Sequence, residues 1–187
     1  MNLFATTIIA TTLSLAWDSK IPQASPILAT AIEQNISTLE THTQLCKKKH
    51  DHVFWSRLFV AVSKYESNWN TDTTFYECNK KSCVYKSGCM KDKSRGYCMT
   101  GGHKADNGYV ISRGLFQISY GSALSYGCDL SSPQDLHDME KNINCAVKIM
   151  TKQIANNKDA INGRIYWSVL RKTNDKRSLI LKQACED

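Results

Sequence analysis

Glu66 is the residue whose setting most strongly suggests chemistry. It lies in Val62-Ser63-Lys64-Tyr65-Glu66-Ser67-Asn68-Trp69-Asn70, and Leu58, Val62 and Glu66 recur at i, i+4 and i+8. On a helix that spacing ends a line of apolar side chains with a carboxyl. A carboxyl at the edge of a buried face loses hydration, which penalises its charged form and raises its pKa. Such a group keeps a proton near neutral pH and can give it to a leaving oxygen, so general acid chemistry is the expectation. Many enzymes that work this way use a second carboxyl. Asp72, Glu77, Asp106 and Asp129 are available, and none is privileged by its setting.

A second block, Ser112-Arg113-Gly114-Leu115-Phe116-Gln117-Ile118-Ser119, is a small-residue turn followed by Leu-Phe-Gln. Gln117 and Ser119 are two apart and share a side if the chain is extended. Further on come Asn142-Ile143-Asn144-Cys145 and Ile165-Tyr166-Trp167. Together with Glu66-Ser67, and in this order, these blocks resemble the lytic transglycosylases of the soluble (SLT) type, within the lysozyme-like superfamily. The resemblance covers about residues 50–172. That family shows Glu-Ser in a helix, then Gly-Leu-Met-Gln-Ile, then Asn-Ile opening a helix, then a Tyr-bearing segment.

The resemblance implies a mainly α (α+β) lysozyme-like fold, a helical bundle around a sugar-binding cleft. It implies that Glu66 is the catalytic acid for the β-1,4 bond after N-acetylmuramic acid, and then the base. The acceptor is the sugar's own 6-hydroxyl in a transglycosylase and water in a hydrolase. The substrate's N-acetyl group can stand in for the second carboxylate, so neither cofactor nor metal is expected. Ser67, Ser112, Gln117, Ser119 and Tyr166 are the implied substrate-site residues, with Ser67 orienting Glu66 and Tyr166 near the scissile bond. The chain also departs from the pattern. Glu66 and Gly114 are 48 positions apart, Phe116 stands where the family has Met, and Trp167-Ser168-Val169 replaces the Asn-x-Gly that follows the family's Tyr. Only Tyr166 carries over from that segment.

These residues need elements to hold them. Leu28, Ile32, Ile36 and Leu39 predict a helix over about 26–40. Asp51 is a candidate N-cap for the helix that bears Phe54, Leu58, Ala61, Val62, Tyr65 and Trp69 as one apolar stripe. Ile143, Val147, Met150 and Ile154 predict a helix at about 140–156, and 164–172 and 176–185 read as two short closing helices. Residues 18–25, polar with Pro22 inside and Pro26 just after, read as a linker. Residues 74–110 lose helical periodicity. They hold four Cys, five of the nine Gly and seven Lys or Arg against three acids, which reads as a disulfide-rich insertion with short strands at most. Trp55, Trp69 and Trp167 are candidates for stacking on sugar rings or for the core.

The eight Cys are an even number, which favours bridges and an oxidising compartment. Cys128 and Cys145 are separated by sixteen residues, a natural span for tying a loop back onto its helix, and elimination then pairs Cys46 with Cys185. Cys78, Cys83, Cys89 and Cys98 allow three pairings. Their gaps of four, five and eight residues lack the tight two-residue spacing of most zinc knuckles.

Residues 1–16 carry no charged side chain, are apolar with scattered Thr and Ser, and end in Ser14-Leu15-Ala16, the small-residue spacing of a signal-peptide cleavage site. Residues 17–187 then form a single domain, secreted or periplasmic. At 187 residues, with 42% hydrophobic and 22% charged residues, the chain can bury its own core, which excludes disordered and collagen-like classes. No apolar run beyond the leader is long enough for an integral membrane span. A net charge of +7 suits an anionic partner, here peptidoglycan glycan strands, and the protein is expected to act as a monomer. No helix-turn-helix or zinc-finger pattern supports nucleic acid. Two other readings share these features: a non-catalytic glycan-binding protein of the same fold, and a cationic antimicrobial protein.

Overall fold

Asp51 starts the helix around which the molecule is organised. Its Oδ1 accepts from the N–H groups of Val53 and Phe54, at 3.0 and 3.1 Å, so two donors that a first helical turn leaves over are satisfied. A computed structural model describes residues 12–46, 50–77 and 110–186. Its elements run α1 (Thr12–Lys20), α2 (Ala24–Glu33), α3 (Ile36–Leu39), α4 (His52–Ser67), β1 (Thr74–Glu77), β2 (Val110–Arg113), β3 (Ile118–Ser119), α5 (Tyr120–Ser125), α6 (Met139–Asn156) and α7 (Lys176–Cys185). Short 3-10 turns occur at Pro133–His137, Ala160–Asn162 and Ser168–Leu170. The architecture is mainly α, with one three-stranded antiparallel sheet in the order β1-β2-β3.

α4 is buried on all sides rather than along one stripe. Phe54 to Ser63 is an unbroken buried run that includes Ser56, Arg57 and Ser63. The reason is its neighbours: α1, α2 and α7 all pack against it. Trp55, Leu58, Phe59 and Val62 join Leu28 and Ile32 of α2, Ile143, Val147 and Met150 of α6, and Ile180 of α7 in one core. Aromatic rings link its parts, since Phe59 lies edge-on to both Phe116 and Trp167, at centroid distances of 5.8 and 6.4 Å. Trp55, Trp69 and Trp167 are all core residues, none more than 4% exposed.

Several expectations change. Residues 18–25 are not a linker: α1 runs to Lys20, α2 begins at Ala24, and Trp17 is fully buried against Trp69. The helix expected over 26–40 is two helices. Asn35 breaks it by turning its side chain back to donate to the Ala31 carbonyl, the local competition that makes Asn a poor interior residue. The segment 164–172 contains only a 3-10 turn, because Tyr166 and Trp167 spend their polar groups on distant partners.

β1 and β2 pair with Phe75 opposite Ser112, and β2 and β3 with Ser112 opposite Ser119. The edges of the expected insertion are therefore two paired strands. Its interior, including Cys78, Cys83, Cys89 and Cys98, lies outside the described residues, as does most of the expected leader.

Two disulfides have the expected partners: Cys46 with Cys185 and Cys128 with Cys145, at Cα separations of 5.6 and 5.3 Å. No cysteine among the described residues is free. Replacing Cys128 and Cys145 together by Ala is expected to cost about 3 kcal/mol, from the loop-closure entropy returned to the unfolded chain. Thermal melting checks it, with a Tm about 6–12 °C lower expected for a chain of this size.

Candidate active site

The α4 helix delivers Glu66 in its last turn. The side chain is half-buried, and its Oε1 is shielded from solvent. Glu66 stands seven positions after Phe59, so the two lie within about 20° of one helix face, some 10 Å apart along the axis. Phe59 packs on Phe116 and Trp167. Glu66 therefore continues the face of α4 that looks toward the segments carrying those two residues. Immediately after it, Asn68 and Trp69 take positive φ values of 53° and 63°. Such backbone is costly for a bulky residue, and here Trp69 is fixed by its Nε1 donating to the Val60 carbonyl at 3.1 Å. The turn is further held by Lys20 and Lys64, whose ammonium groups donate to Asn68 O and Asn68 Oδ1, both at 2.7 Å.

The Gly114 turn is locked from two directions. Asn142, 1% exposed on α6, donates through Nδ2 to Arg113 O at 3.1 Å and Leu136 O at 2.8 Å, and accepts from Phe116 N–H at 3.0 Å. One amide thus satisfies three backbone groups of two separate segments. From the other side Thr73 O accepts from Gly114 N–H at 2.9 Å and from Gln117 Nε2 at 3.0 Å. Thr73 lies in the stretch that leads out of α4, so the turn is tied to the end of the Glu66 helix. His137 reinforces this link, with Nδ1 bonded to Thr71 O at 2.9 Å. The His137 turn is itself pinned by Asp135, whose carboxyl is held below its usual pKa first by the Ser131 N–H and then by Lys141 and the Ser132 N–H.

The five implied substrate-site residues fall into place unequally. Gln117, with φ of 47°, uses both amide protons on backbone carbonyls, those of Thr73 and Gly114, while its Oε1 is buried without a partner among the described residues. Ser119 is occupied as the N-cap of α5, accepting from Ser122 N–H. Ser67 donates to Ser63 O at 3.2 Å, one helical turn back, so its proton is not directed at Glu66. Ser112 is 4% exposed on β2. Tyr166 reaches across 47 residues, its hydroxyl accepting from Ser119 N–H at 3.1 Å. The structure thus joins Gln117, Ser119 and Tyr166 through one strand, with the backbone register setting Ser112 beside Ser119.

Asn142 stood in one of the blocks that carry the resemblance, but its positioning role was not among the roles the sequence assigned. Its signal was a polar residue beside Ile143 on an otherwise buried helical face, which demands partners when packed. A surface depression of about 310 Å³ between α2 and α6, lined by Pro26, Ile27, Thr30, Gln34, Glu140 and Asn144, contains none of these residues. No group of three or more metal-ligating side chains occurs among the described residues.

Tyr166→Phe is expected to cost about 1–2 kcal/mol, because Ser119 N–H loses its acceptor in a partly buried setting. Chemical denaturation checks it: the midpoint should fall with the slope unchanged.

No family model matches the sequence, and no curated protein matches it. What the structure defines is a class of architecture, a mainly helical domain with a small antiparallel sheet. Among solved structures, that architecture is similar to Bd0314 DslA, a Bdellovibrio protein. Its wild-type form 2 is 21% identical with a TM-score of 0.62, covering 100% of this chain and 98% of that chain. Two glutamate-to-glutamine mutants of the same protein match at 21% identity and a TM-score of 0.62, covering 95% of this chain and 94% of theirs. The likeness is one of fold.

Proposed function

We propose that this protein is a peptidoglycan-cleaving glycosidase of lysozyme-like fold, a lytic transglycosylase or muramidase that works with Glu66 as its one catalytic carboxyl. The observation that carries the reading is the convergence of separate sequence blocks. The Gly114 turn, Asn142 and the stretch after Glu66 share one hydrogen-bond network, and Tyr166 joins it at Ser119. Backbone in costly conformations at Asn68, Trp69 and Gln117 lies at the ends of the same region, where strain is often kept for function.

In this reading Glu66 gives its proton to the glycosidic oxygen as the β-1,4 bond after N-acetylmuramic acid breaks, and the departing sugar leaves with that proton. The N-acetyl oxygen of the substrate shields the developing positive charge at the anomeric carbon. Glu66, now a carboxylate, takes a proton from the attacking hydroxyl, either water or the sugar's own 6-hydroxyl. Gln117, Ser119 and Tyr166 act as a rigid floor beneath the site. The net charge of +7 favours approach to an anionic wall, and the two disulfides suit an extracytoplasmic site of action.

The test is digestion of purified cell-wall sacculi followed by mass spectrometry of the released muropeptides. Products one water lighter than the hydrolytic ones identify transglycosylation, and products with a reducing end identify hydrolysis. Binding to sacculi without any released fragment rejects the catalytic reading and leaves a glycan-binding protein.

A further inference from the structure

Two buried histidines outside the candidate site form a connected pair. His42 follows α3 and His50 precedes α4, with exposures of 4% and 2%. Their rings lie 5.7 Å apart, His50 stacks on Phe54 at 4.0 Å, and both face the edge of Trp55. Each uses Nε2 as an acceptor. His42 Nε2 accepts from Ile161 N–H at 3.1 Å, and His50 Nε2 accepts from Leu45 N–H at 2.9 Å. His42 Nδ1 donates to Thr43 O, and Thr43 N–H donates to Lys158 O at 2.7 Å. Residues 41–46 are thereby fastened on one side to the Ala160–Asn162 turn and on the other to the start of α4. Cys46, at the end of this stretch, is anchored to α7 through Cys185.

We propose that residues 41–46 are an acid-released strap, latched at neutral pH by two imidazoles that accept backbone N–H groups and unlatched when protonation turns both acceptors into donors. An imidazolium has no lone pair for Leu45 or Ile161 N–H, so each proton bound removes a bond and leaves a charge among Phe54, Trp55 and the other ring. The Cys46 bridge keeps the freed strap attached, which makes the opening local.

Among the described residues, one carboxylate acts on each ring. Asp159 faces His42 and Asp51 faces His50, and both favour the protonated form. Loss of hydration opposes them and dominates at each ring, and the two imidazoles disfavour one another's charge at His50. The His42 pKa is therefore lowered, and that of His50 is lowered to about 4. With both depressed in the latched state, the latch is intact above the ordinary imidazole value near about 6.5. It weakens about tenfold per pH unit for each titrating histidine as the pH falls toward about 4.

The test is amide hydrogen exchange on the intact oxidised protein between pH 7 and pH 4, corrected for intrinsic rates. The protection of Leu45 and Ile161 should fall at least about tenfold per pH unit below about 6.5, while amides of α6 such as Ile149 and Met150 keep theirs. Constant protection at Leu45 and Ile161 overturns the proposal, and so does a simultaneous loss across the whole molecule. The double variant His42→Gln, His50→Gln supplies acceptors that do not titrate, and persistent acid opening in it rejects the imidazoles as the cause. If that variant does not fold, an NMR titration of the wild-type rings decides, because ring titration outside the opening range excludes the mechanism.

Discussion

Glu66→Gln is expected to melt where the wild type melts and to cleave peptidoglycan at least about 10²–10⁴-fold more slowly, the usual loss when a general acid is removed. The substitution changes an oxygen for a nitrogen of nearly the same size, so the packing of the last turn of α4 is kept. Two of the bonds that hold that turn are made by its neighbours. Asn68 closes the helix by donating its N–H to Lys64 O, and Trp69 is fixed to Val60 O. An amide has no proton acidic enough to transfer to a departing oxygen, so the chemical step loses its acid while substrate binding stays. The measurements are release of soluble muropeptides and a thermal melt on the same preparation. A variant that keeps most of the activity removes Glu66 from the catalytic role. If killing of whole cells persists without cleavage, the protein acts through its charge.

Gly114→Ala is expected to destabilise the fold by about 4–5 kcal/mol. Gly114 has φ of +74°, which an L-residue adopts at a cost of about 1–2 kcal/mol. A Cβ there would also stand 2.0 Å from Leu136 O and 2.4 Å from Asn142 Nδ2. Neither neighbour is a flexible side-chain tip. The first is backbone, and the second is an amide already committed to Arg113 O and Leu136 O. Relieving the clash must therefore separate α6 from the turn, adding an overpacking cost of about 3 kcal/mol. A Tm lowered by roughly 10 °C or more is the expected reading. Asn142→Asp tests the same network from the other side. The carboxylate can still accept from Phe116 N–H but cannot donate to Arg113 O or Leu136 O, so it should also destabilise. An unaltered Tm in Gly114→Ala would mean that the turn and α6 are not in close contact.

Much of this molecule can be read along the chain. The Asp51 cap, the 3.6-residue recurrence of Ile143, Val147, Met150 and Ile154, and the limits of α7 are local signals, since a helix repeats its environment every turn. Both described disulfides followed from counting and spacing, because once the four cysteines of 74–110 are set apart and Cys128 is joined to Cys145, only Cys46 and Cys185 remain. The order of Glu66, Gly114, Asn142 and Tyr166 also stands in the chain and suggested a site. Its assembly does not. Asn142 earns its place by matching backbone groups 26 and 29 residues away, and Tyr166 by meeting an N–H 47 residues away. Bonds to distant main chain leave no period in a sequence, so the residues that make them look like ordinary polar residues. The same blindness hid the burial of Trp17, just before a stretch that read as a linker, and concealed that α4 is enclosed on every side. Burial is a property of what packs from elsewhere, and a helix enclosed by three others carries the same spacing as one that shows a single face to the core.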